Sequence, residues 1–293
     1  MRLWRHTRPT TDIPALHLHR SFFLPSSGFH RIPIGCKEGA NDAAQMEEAV
    51  VDVSEQDRQR YHRQMMIGGW GEEGQAKLKA ARVFIAGAGG LGSPASIYLA
   101  VAGIGHIIIV DFDSPDLSNL NRQILHNDLR IGLNKALSAQ LTLRELNPSI
   151  EVTGLATRIE EDNVDELVGE ADIIVDCMDN FPTRYVLNAC ARRKGIPFVH
   201  GSVWGLEGKL TFIHSPETAC LQCIFPTPPA RALFPVLGAT PGTIGCLQAM
   251  EVLKYLTGVG ENLKGKMLIW DGQDMEFFTC PTVKQASCPV CGE

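Results

Sequence analysis

The hydrophobic positions of the chain fall into short continuous runs separated by longer stretches with helical spacing. Apolar residues fill most of the runs at 82–86, 106–110, 172–176 and 198–201. Continuous runs of this length are typical of strands buried on both faces of a sheet. We expect a further strand near 151–155.

Mixed segments between these runs predict helices. The predicted helices cover 94–101, 134–147, 162–168, 182–194 and 243–257, and the region 47–81 is also polar and helical. Ser93 is expected to cap the first of them, with Pro94 at the first helical position. Strands that alternate with helices of this length imply right-handed crossovers and a mostly parallel sheet.

The alternation breaks down in the last third of the chain. Residues 208–213 follow the preceding strand too closely for a crossover, so we expect the sheet to become antiparallel there. Two short strands at 267–271 and 276–279 complete it. The predicted fold class is therefore α/β, a Rossmann-like mostly parallel sheet with an antiparallel C-terminal extension. A proline-rich loop at 226–241 is long enough to be functional or disordered.

The first 45 residues differ in composition from the rest. They contain four of the nine histidines and several arginines and prolines, but no continuous apolar stretch. We expect 1–45 to be a disordered extension or sequence translated from a start upstream of Met46, with a targeting peptide as the alternative. Residues 46–293 are expected to form one domain.

Overall composition excludes several classes of protein. Apolar residues make up 44% of the 293-residue chain, and its formal net charge is −6. No segment approaches the roughly 20 apolar residues of a membrane span, and a mild acidic excess argues against nucleic acid as the main partner. Nine cysteines, four of them with metal-ligand spacing, favour a reducing compartment, so we expect a cytoplasmic protein.

A glycine-rich turn follows the first predicted strand. Gly87, Gly89 and Gly92 open the next helix, and Asp111 ends the following strand. This is the context of a nucleotide site, in which the start of a helix faces phosphate and the aspartate accepts a ribose hydroxyl. The turn is not a Walker A loop, because Ser93 stands where that loop has lysine.

Charged residues after successive strands favour ATP over a nicotinamide cofactor. Arg122, Lys135, Asp176 and Asp179 follow strands whose carboxyl ends should meet at one edge of the sheet. Nucleotidyl transfer requires cations and a metal-binding acid beside a triphosphate, whereas a hydride-transfer site gains little from them. The alternative is that Arg122 and Lys135 are solvated surface charges.

Two cysteine pairs with identical spacing lie near the C-terminus. Cys220 and Cys223 form the first pair, and Cys288 and Cys291 form the second. Four cysteines in this spacing are typical of a closed tetrahedral Zn²⁺ site with a structural role. We expect this site to tie the C-terminal segment to the domain.

Together these motifs resemble a known family. They are Gly-Ala-Gly-Gly-Leu-Gly at 87–92, Asp-Phe-Asp at 111–113, Leu-Ser-Asn-Leu-Asn-Arg-Gln at 117–123, Asp-Cys-Met-Asp-Asn at 176–180 and the cysteine pairs. In this order they resemble the MoeB/ThiF/HesA adenylyltransferases, which are relatives of ubiquitin-activating enzymes. Arg-Tyr-His-Arg-Gln at 60–64 resembles the entry motif of that family, so the resemblance extends from about residue 60 to the C-terminus.

The resemblance implies a reaction and a set of roles. Such enzymes use ATP and Mg²⁺ to adenylate the C-terminal glycine, in a Gly-Gly sequence, of a ubiquitin-fold sulfur carrier for molybdopterin, thiamine or thiolation pathways. A homodimer is implied, because Arg63 would reach into the neighbouring subunit's site. The other implied roles are phosphate contact for Gly90 and Lys135, ribose contact for Asp111 within the motif that ends at Asp113, triphosphate contacts for Asn119, Arg122 and Gln123, and magnesium binding for Asp179 with Asn180 beside it.

One departure from the family concerns covalent transfer. Many relatives carry a reactive cysteine in the loop over the site, but residues 225–245 contain none, and Cys246 follows at an expected helix start. We therefore expect the acyl-adenylate to pass to a separate sulfur donor. The alternatives are an adenylyltransferase for a peptide or a tRNA base, and a non-catalytic partner that docks a carrier. A dehydrogenase is disfavoured, because the 119–123 segment and the cysteine pairs have no role in it.

Overall fold

The computed structural model describes residues 52–228 and 235–292. The extension expected at 1–45 lies outside the described residues, and so do 229–234 of the proline-rich loop. In the described part of the chain, no helix is both long enough and apolar enough to cross a bilayer.

The described strands form one sheet in the order β3-β2-β1-β4-β5-β6-β7-β8. Their bounds are β1 Arg82–Ala86, β2 His106–Val110, β3 Glu151–Leu155, β4 Ile173–Asp176, β5 Phe198–Trp204, β6 Glu207–Ile213, β7 Lys266–Asp271 and β8 Glu276–Pro281. The pairs within β1 to β5 are all parallel. β5 to β8 pair antiparallel, with Val199 opposite Phe212. The predicted fold class is confirmed.

Helices cover both faces of the parallel strands. Their bounds are α1 Glu55–Met65, α2 Gly71–Ala80, α3 Gly92–Ala102, α4 Lys135–Leu146, α5 Val164–Val168, α6 Phe181–Lys194, α7 Leu221–Ile224 and α8 Ala239–Thr257. Apolar residues of α3, α4 and α8 pack on one face with Ile85. Those of α5 and α6 pack on the other face with Phe84. Successive side chains of β1 thus point to opposite faces of the sheet and are buried on both, which explains its continuous apolar sequence.

Two helices begin two or more residues earlier than the sequence predicts. α3 starts at Gly92, and Ser93 lies in its first turn rather than at its cap, because the Ser93 amide already donates to Gly89 O at 2.9 Å. α8 starts at Ala239 rather than at 243, so Cys246 lies inside the helix and not at its start. Pro241 is tolerated in the first turn, where its missing N–H would have no intrahelical acceptor.

Candidate active site and metal centre

The glycine turn between β1 and α3 closes tightly on itself. Gly87 donates its amide to Val110 O at 2.8 Å and has a φ of 96°, a conformation that favours glycine. A Cβ at Gly92 would lie 2.0 Å from Gly87 O. The backbone at this turn therefore leaves no room for a side chain at position 92, and α3 begins directly beneath the turn.

Asp111 holds the turn from the end of β2. Its Oδ2 accepts the amide of Ala88 at 2.9 Å, and its Oδ1 accepts the amide of Asp113 at 2.9 Å. Burial raises the pKa of Asp111, and these two backbone hydrogen bonds oppose that rise. The carboxylate therefore sits where β1 and β2 end, beside the residues that a bound nucleotide would reach.

The segment at 119–123 lies directly over the turn. A Cβ at Gly90 would lie 3.6 Å from Arg122 Cγ, and one at Gly89 would lie 3.6 Å from Gln123 Nε2. Arg122 donates to Ser118 O and Asn121 Oδ1, each at 2.9 Å. The three predicted contact residues of this segment, Asn119, Arg122 and Gln123, thus come from one short loop.

Gln123 provides a specific sign of a polar ligand. Its side chain is 5% exposed, and its Oε1 is buried without a hydrogen-bond partner among the described residues. A buried acceptor without a partner is costly and uncommon in proteins. A ligand donor or a bound water at the turn would satisfy it.

Lys135 approaches the turn from the start of α4. The residue is 8% exposed, its amide donates to Asp113 O at 2.8 Å, and its Nζ lies 3.7 Å from Asp113 Oδ2. Asn134 caps the helix and also donates from Nδ2 to Asp111 O at 2.9 Å. These contacts place a buried cation next to the carboxylates that end β2.

The loop after β4 presents Asp179 at the same edge of the sheet. A Cβ at Gly87 would lie 3.5 Å from Met178 Sδ, and the next residue, Asp179, is exposed. Its Oδ1 accepts a hydrogen bond from Asn180 Nδ2 at 3.5 Å. An exposed carboxylate next to an ATP-type turn has the chemistry that Mg²⁺ prefers.

Asp176 does not join this cluster, contrary to the prediction from strand order. Its side chain is fully buried and contacts His200 Nδ1 at 2.6 Å and Arg184 Nε at 3.4 Å. Asp176 is the last residue of β4, which is buried on both faces of the sheet, whereas Asp179 lies in the loop beyond the strand.

His126 is a buried residue that also supports the turn and that the sequence did not mark. His126 Nε2 bonds to Ala88 O and its Nδ1 to Ser138 Oγ, both at 2.9 Å. Burial lowers the pKa of His126, so the neutral ring donates to the carbonyl and accepts from the hydroxyl. Its position three residues after Gln123 was the available signal, but a single histidine has no diagnostic spacing.

Arg63 lies away from the turn of its own chain. It belongs to the last turn of α1, where Tyr61 Oη accepts from Asn147 Nδ2 at 2.8 Å and packs against Gly103. Gly103 and Asn147 precede β2 and β3, so this contact marks the edge at which the strands begin. The glycine turn lies at the opposite edge.

The four predicted cysteine ligands come together in space. The Sγ atoms of Cys220, Cys223, Cys288 and Cys291 all lie within 4.8 Å of one another. Four sulfurs this close fit the tetrahedral coordination of Zn²⁺, which leaves no open position for catalysis. The amide of Gln285 also donates to Cys223 Sγ at 3.4 Å, a contact that would stabilise a thiolate.

Comparison with known proteins identifies the family. The model of the ThiF family matches residues 61–290. The chain belongs to the ThiF family. It is an adenylyltransferase, as the resemblance of its motifs predicts.

Curated relatives of this ThiF-family chain are named as activating enzymes or adenylyltransferases. It is 45% identical over 240 residues to the SAMP-activating enzyme E1 of Haloferax volcanii, and this alignment covers 80% of this chain and 88% of that protein. It is 39% identical to the sulfur carrier protein adenylyltransferase of Thermus thermophilus, covering 80% and 90%. The maize adenylyltransferase and sulfurtransferase MOCS3-1 is 44% identical, but the chain spans only 52% of its length.

Among solved structures, the fold of this ThiF-family chain is similar to that of E. coli MccB bound to ATP. The TM-score is 0.71 at 25% identity, covering 80% of this chain and 73% of MccB. A second MccB structure, in complex with AMPCPP and MccA, has a TM-score of 0.69 at 26% identity and covers 75% and 69%.

Replacing Gly92 by alanine should open the turn. The added methyl would meet Gly87 O at 2.0 Å, so the backbone must shift. We expect a loss of about 2 kcal/mol or more in unfolding free energy and a large loss of nucleotide affinity. Denaturant unfolding and calorimetric titration with ATP measure both. Gly242→Ala is the matched control in helix α8, where nothing lies within 4 Å of the new Cβ; equal effects of the two substitutions would contradict this reading.

Proposed function

We propose that this chain uses ATP to adenylate the C-terminal glycine of a ubiquitin-fold sulfur carrier and releases pyrophosphate. The observation that carries the proposal is the cradle at the carboxyl edge of the sheet. This cradle consists of the glycine turn with Arg122 over it, Lys135 beside Asp113, and the exposed Asp179 in the loop next to Gly87. The buried Gln123 Oε1 lacks a partner among the described residues. Relatives named as a SAMP-activating enzyme and as a sulfur carrier protein adenylyltransferase support the choice of acceptor.

The proposed chemistry needs charge neutralisation more than proton transfer. A C-terminal carboxylate has a pKa of about 3.5 and is already ionised at neutral pH, so its attack on the α-phosphate needs no general base. The barrier comes from bringing two anions together and from the charge on departing pyrophosphate. Arg122 and Lys135 would bind that charge, while Asp111 would orient the ribose.

Asp179 is the residue that would hold the magnesium ion of ATP, with Asn180 beside it. Mg²⁺ is usually bound through one or two carboxylates together with phosphate oxygens and water, and an exposed carboxylate at this edge fits that pattern. When bound, the ion supplies further positive charge to the phosphates.

An apolar surface next to the cradle would dock the carrier. The turn between β5 and β6 exposes Trp204 by 54% and Leu206 by 39%, and the neighbouring Leu237 is 56% exposed. Gly205 bridges to Val236, and a Cβ at Gly238 would lie 2.3 Å from Asn121 O. The surface therefore continues into the 119–123 segment, so a folded domain bound there could extend its C-terminus to the glycine turn.

A homodimer would complete the site. Arg63 is exposed on α1 and lies at the edge of the sheet away from its own glycine turn. A second copy would bring its Arg63 to the phosphates, as the resemblance implies. Exposed apolar side chains on α4, among them Leu137 and Leu141, offer area for such an interface.

The cysteine cluster is proposed as a structural Zn²⁺ site, and a cytoplasmic location would keep its thiols reduced. After adenylation, the acyl group would pass to a separate sulfur donor and not to Cys246. Cys246 lies inside α8, where burial raises the pKa of its thiol. A raised pKa disfavours the nucleophilic thiolate.

Pyrophosphate exchange into ATP tests the proposal. Each candidate carrier with a C-terminal Gly-Gly is added in turn, with the same carrier lacking the last glycine as its control. We expect exchange with one intact carrier and none with its truncated form. Exchange without any carrier, or exchange that depends on a short peptide or a tRNA instead, would contradict the proposed function.

The second candidate is adenylation of a different acceptor. It is favoured by the similarity to MccB, whose structures include complexes with MccA. The identity to MccB is 25%, compared with 45% to the SAMP-activating enzyme, so we place the carrier first.

A further inference from the structure

A buried charged cluster lies beneath the loop that carries Asp179. Asp176 is fully buried, Arg184 is 5% exposed and His200 is fully buried. Asp176 Oδ2 lies 3.4 Å from Arg184 Nε and 2.6 Å from His200 Nδ1. Buried charges are retained only where they are paired, and such pairs are seldom the most stable choice for a core. Core packing alone therefore does not account for this cluster.

The cluster holds the backbone of one residue, Met178, at both its N–H and its C=O. Met178 donates its amide to Asp176 Oδ1 at 3.0 Å, and Arg184 Nη2 donates to Met178 O. The same Nη2 donates to Gly201 O at 3.1 Å. Arg184 thus links the β4 loop to strand β5 through two carbonyl groups, while its charge faces Asp176.

Asp179 lies between two residues that are fixed in different ways. Met178 precedes it and is held by the cluster. Asn180 follows it and caps α6, because Asn180 Oδ1 accepts the amide of Thr183 at 3.0 Å. With both neighbours held, the backbone of Asp179 has little freedom to move its exposed carboxylate. It is kept at the edge where Met178 Sδ contacts the position of Gly87.

The chemistry of the cluster requires arginine in particular. Burial lowers the pKa of His200, so its neutral ring donates to Asp176 and the positive charge comes from Arg184. Phe181 lies 5.1 Å from the guanidinium carbon, and Phe225 packs edge-on to His200 at 5.8 Å. In this dry setting a planar guanidinium can bond two carbonyls while its charge faces a carboxylate, whereas an ammonium cannot match that geometry.

We propose that Arg184 is a positioning residue that fixes the Asp179 carboxylate for the magnesium ion of ATP. The inference rests on the proposed role of Asp179. Arg184 is buried beneath the loop, and it would act on the metal site by holding the backbone of Met178.

Arg184→Lys tests the proposal, because lysine keeps a positive charge opposite Asp176 but loses the planar fork. The readout is equilibrium binding of ATP without carrier, measured against Mg²⁺ concentration. We expect the Mg²⁺ midpoint to rise about tenfold, as for other residues that orient a metal ligand. ATP affinity in EDTA should stay within about twofold. Arg193→Lys, on the exposed side of the same helix, is the matched control and should change neither value.

A double-mutant cycle separates this inference from the proposed function. Asp179→Asn alone should raise the Mg²⁺ midpoint, and adding Arg184→Lys should raise it no further. Additive effects would overturn the positioning role, and so would an unchanged midpoint in Arg184→Lys beside a shifted one in Asp179→Asn. An unchanged midpoint in Asp179→Asn would instead refute the metal role on which the inference rests.

A second variant keeps the test open if Arg184→Lys does not fold. Asp176→Asn with Arg184→Gln removes both buried charges together and leaves no unpaired one. Hydrogen exchange of the amides at 178–180 should then be faster than in the unmodified protein, together with the shifted Mg²⁺ midpoint. Unchanged protection of these amides would overturn the proposal.

Discussion

Arg122→Ala is expected to slow carrier-dependent exchange of pyrophosphate into ATP by about a hundredfold or more. The side chain lies over Gly90, with its guanidinium bonded to the backbone of its own loop at Ser118 O. These bonds hold the guanidinium beside the turn before ATP arrives. Alanine would remove a preorganised positive charge from the place where the leaving group's charge develops.

The loss should appear in kcat as well as in KM for ATP, because charge on pyrophosphate grows as the bond breaks. Arg193→Ala is the control, since that arginine pairs at the surface with Asp165 at 2.9 Å on another part of the molecule. An exposed pair of this kind contributes about 0–1 kcal/mol to stability. Normal exchange by Arg122→Ala would refute the phosphate role.

Mixing inactive variants tests whether the site is shared between two copies. If Arg63 acts across a dimer, Arg63→Ala and Arg122→Ala subunits that exchange freely should regain about a quarter of wild-type activity. Each mixed dimer would then contain one intact site. No recovery on mixing would place both arginines in the same subunit's site or exclude the dimer.

The parallel half of the fold could be predicted because each strand is marked by local sequence. β1 and β2 are continuous apolar runs, and packing on two faces demands that pattern. The antiparallel turn after β5 followed from chain length alone, since the six residues between the predicted strands cannot complete a crossover. Helix starts were less accurate: α8 begins at Ala239 because a proline can lie in a first turn, which sequence spacing does not reveal.

The candidate site was predictable where backbone geometry requires a residue type, and less so where side chains alone decide. Gly92 is required because a Cβ there would meet Gly87 O, and such steric requirements leave a motif in the sequence. Asp176 ends β4 and Asp179 follows it in the loop, and the buried position of Asp176 depends on contacts with Arg184 in α6 and His200 in β5. Single residues that meet only in three dimensions carry no spacing signal.

Cys288→Ser should have the largest effect on stability. The cysteine cluster ties α7 to the segment after β8, and that segment has few other anchors, such as the bond from Arg192 Nη1 to Val290 O. Structural zinc sites contribute about 10 kcal/mol or more of binding free energy, which is available only to the folded chain. We therefore expect zinc content to fall well below about one ion per chain.

Losing several kcal/mol should lower the thermal midpoint by about 10 °C. Scanning calorimetry and metal analysis measure both quantities, and Cys280→Ser, a half-buried thiol outside the cluster, is the control. ATP binding at low temperature should survive, because the glycine turn lies on the parallel strands and not on the C-terminal segment. Full zinc content with an unchanged midpoint in Cys288→Ser would show that these thiols do not form the metal site; lost ATP binding in a folded variant would show that the cluster also shapes the active site.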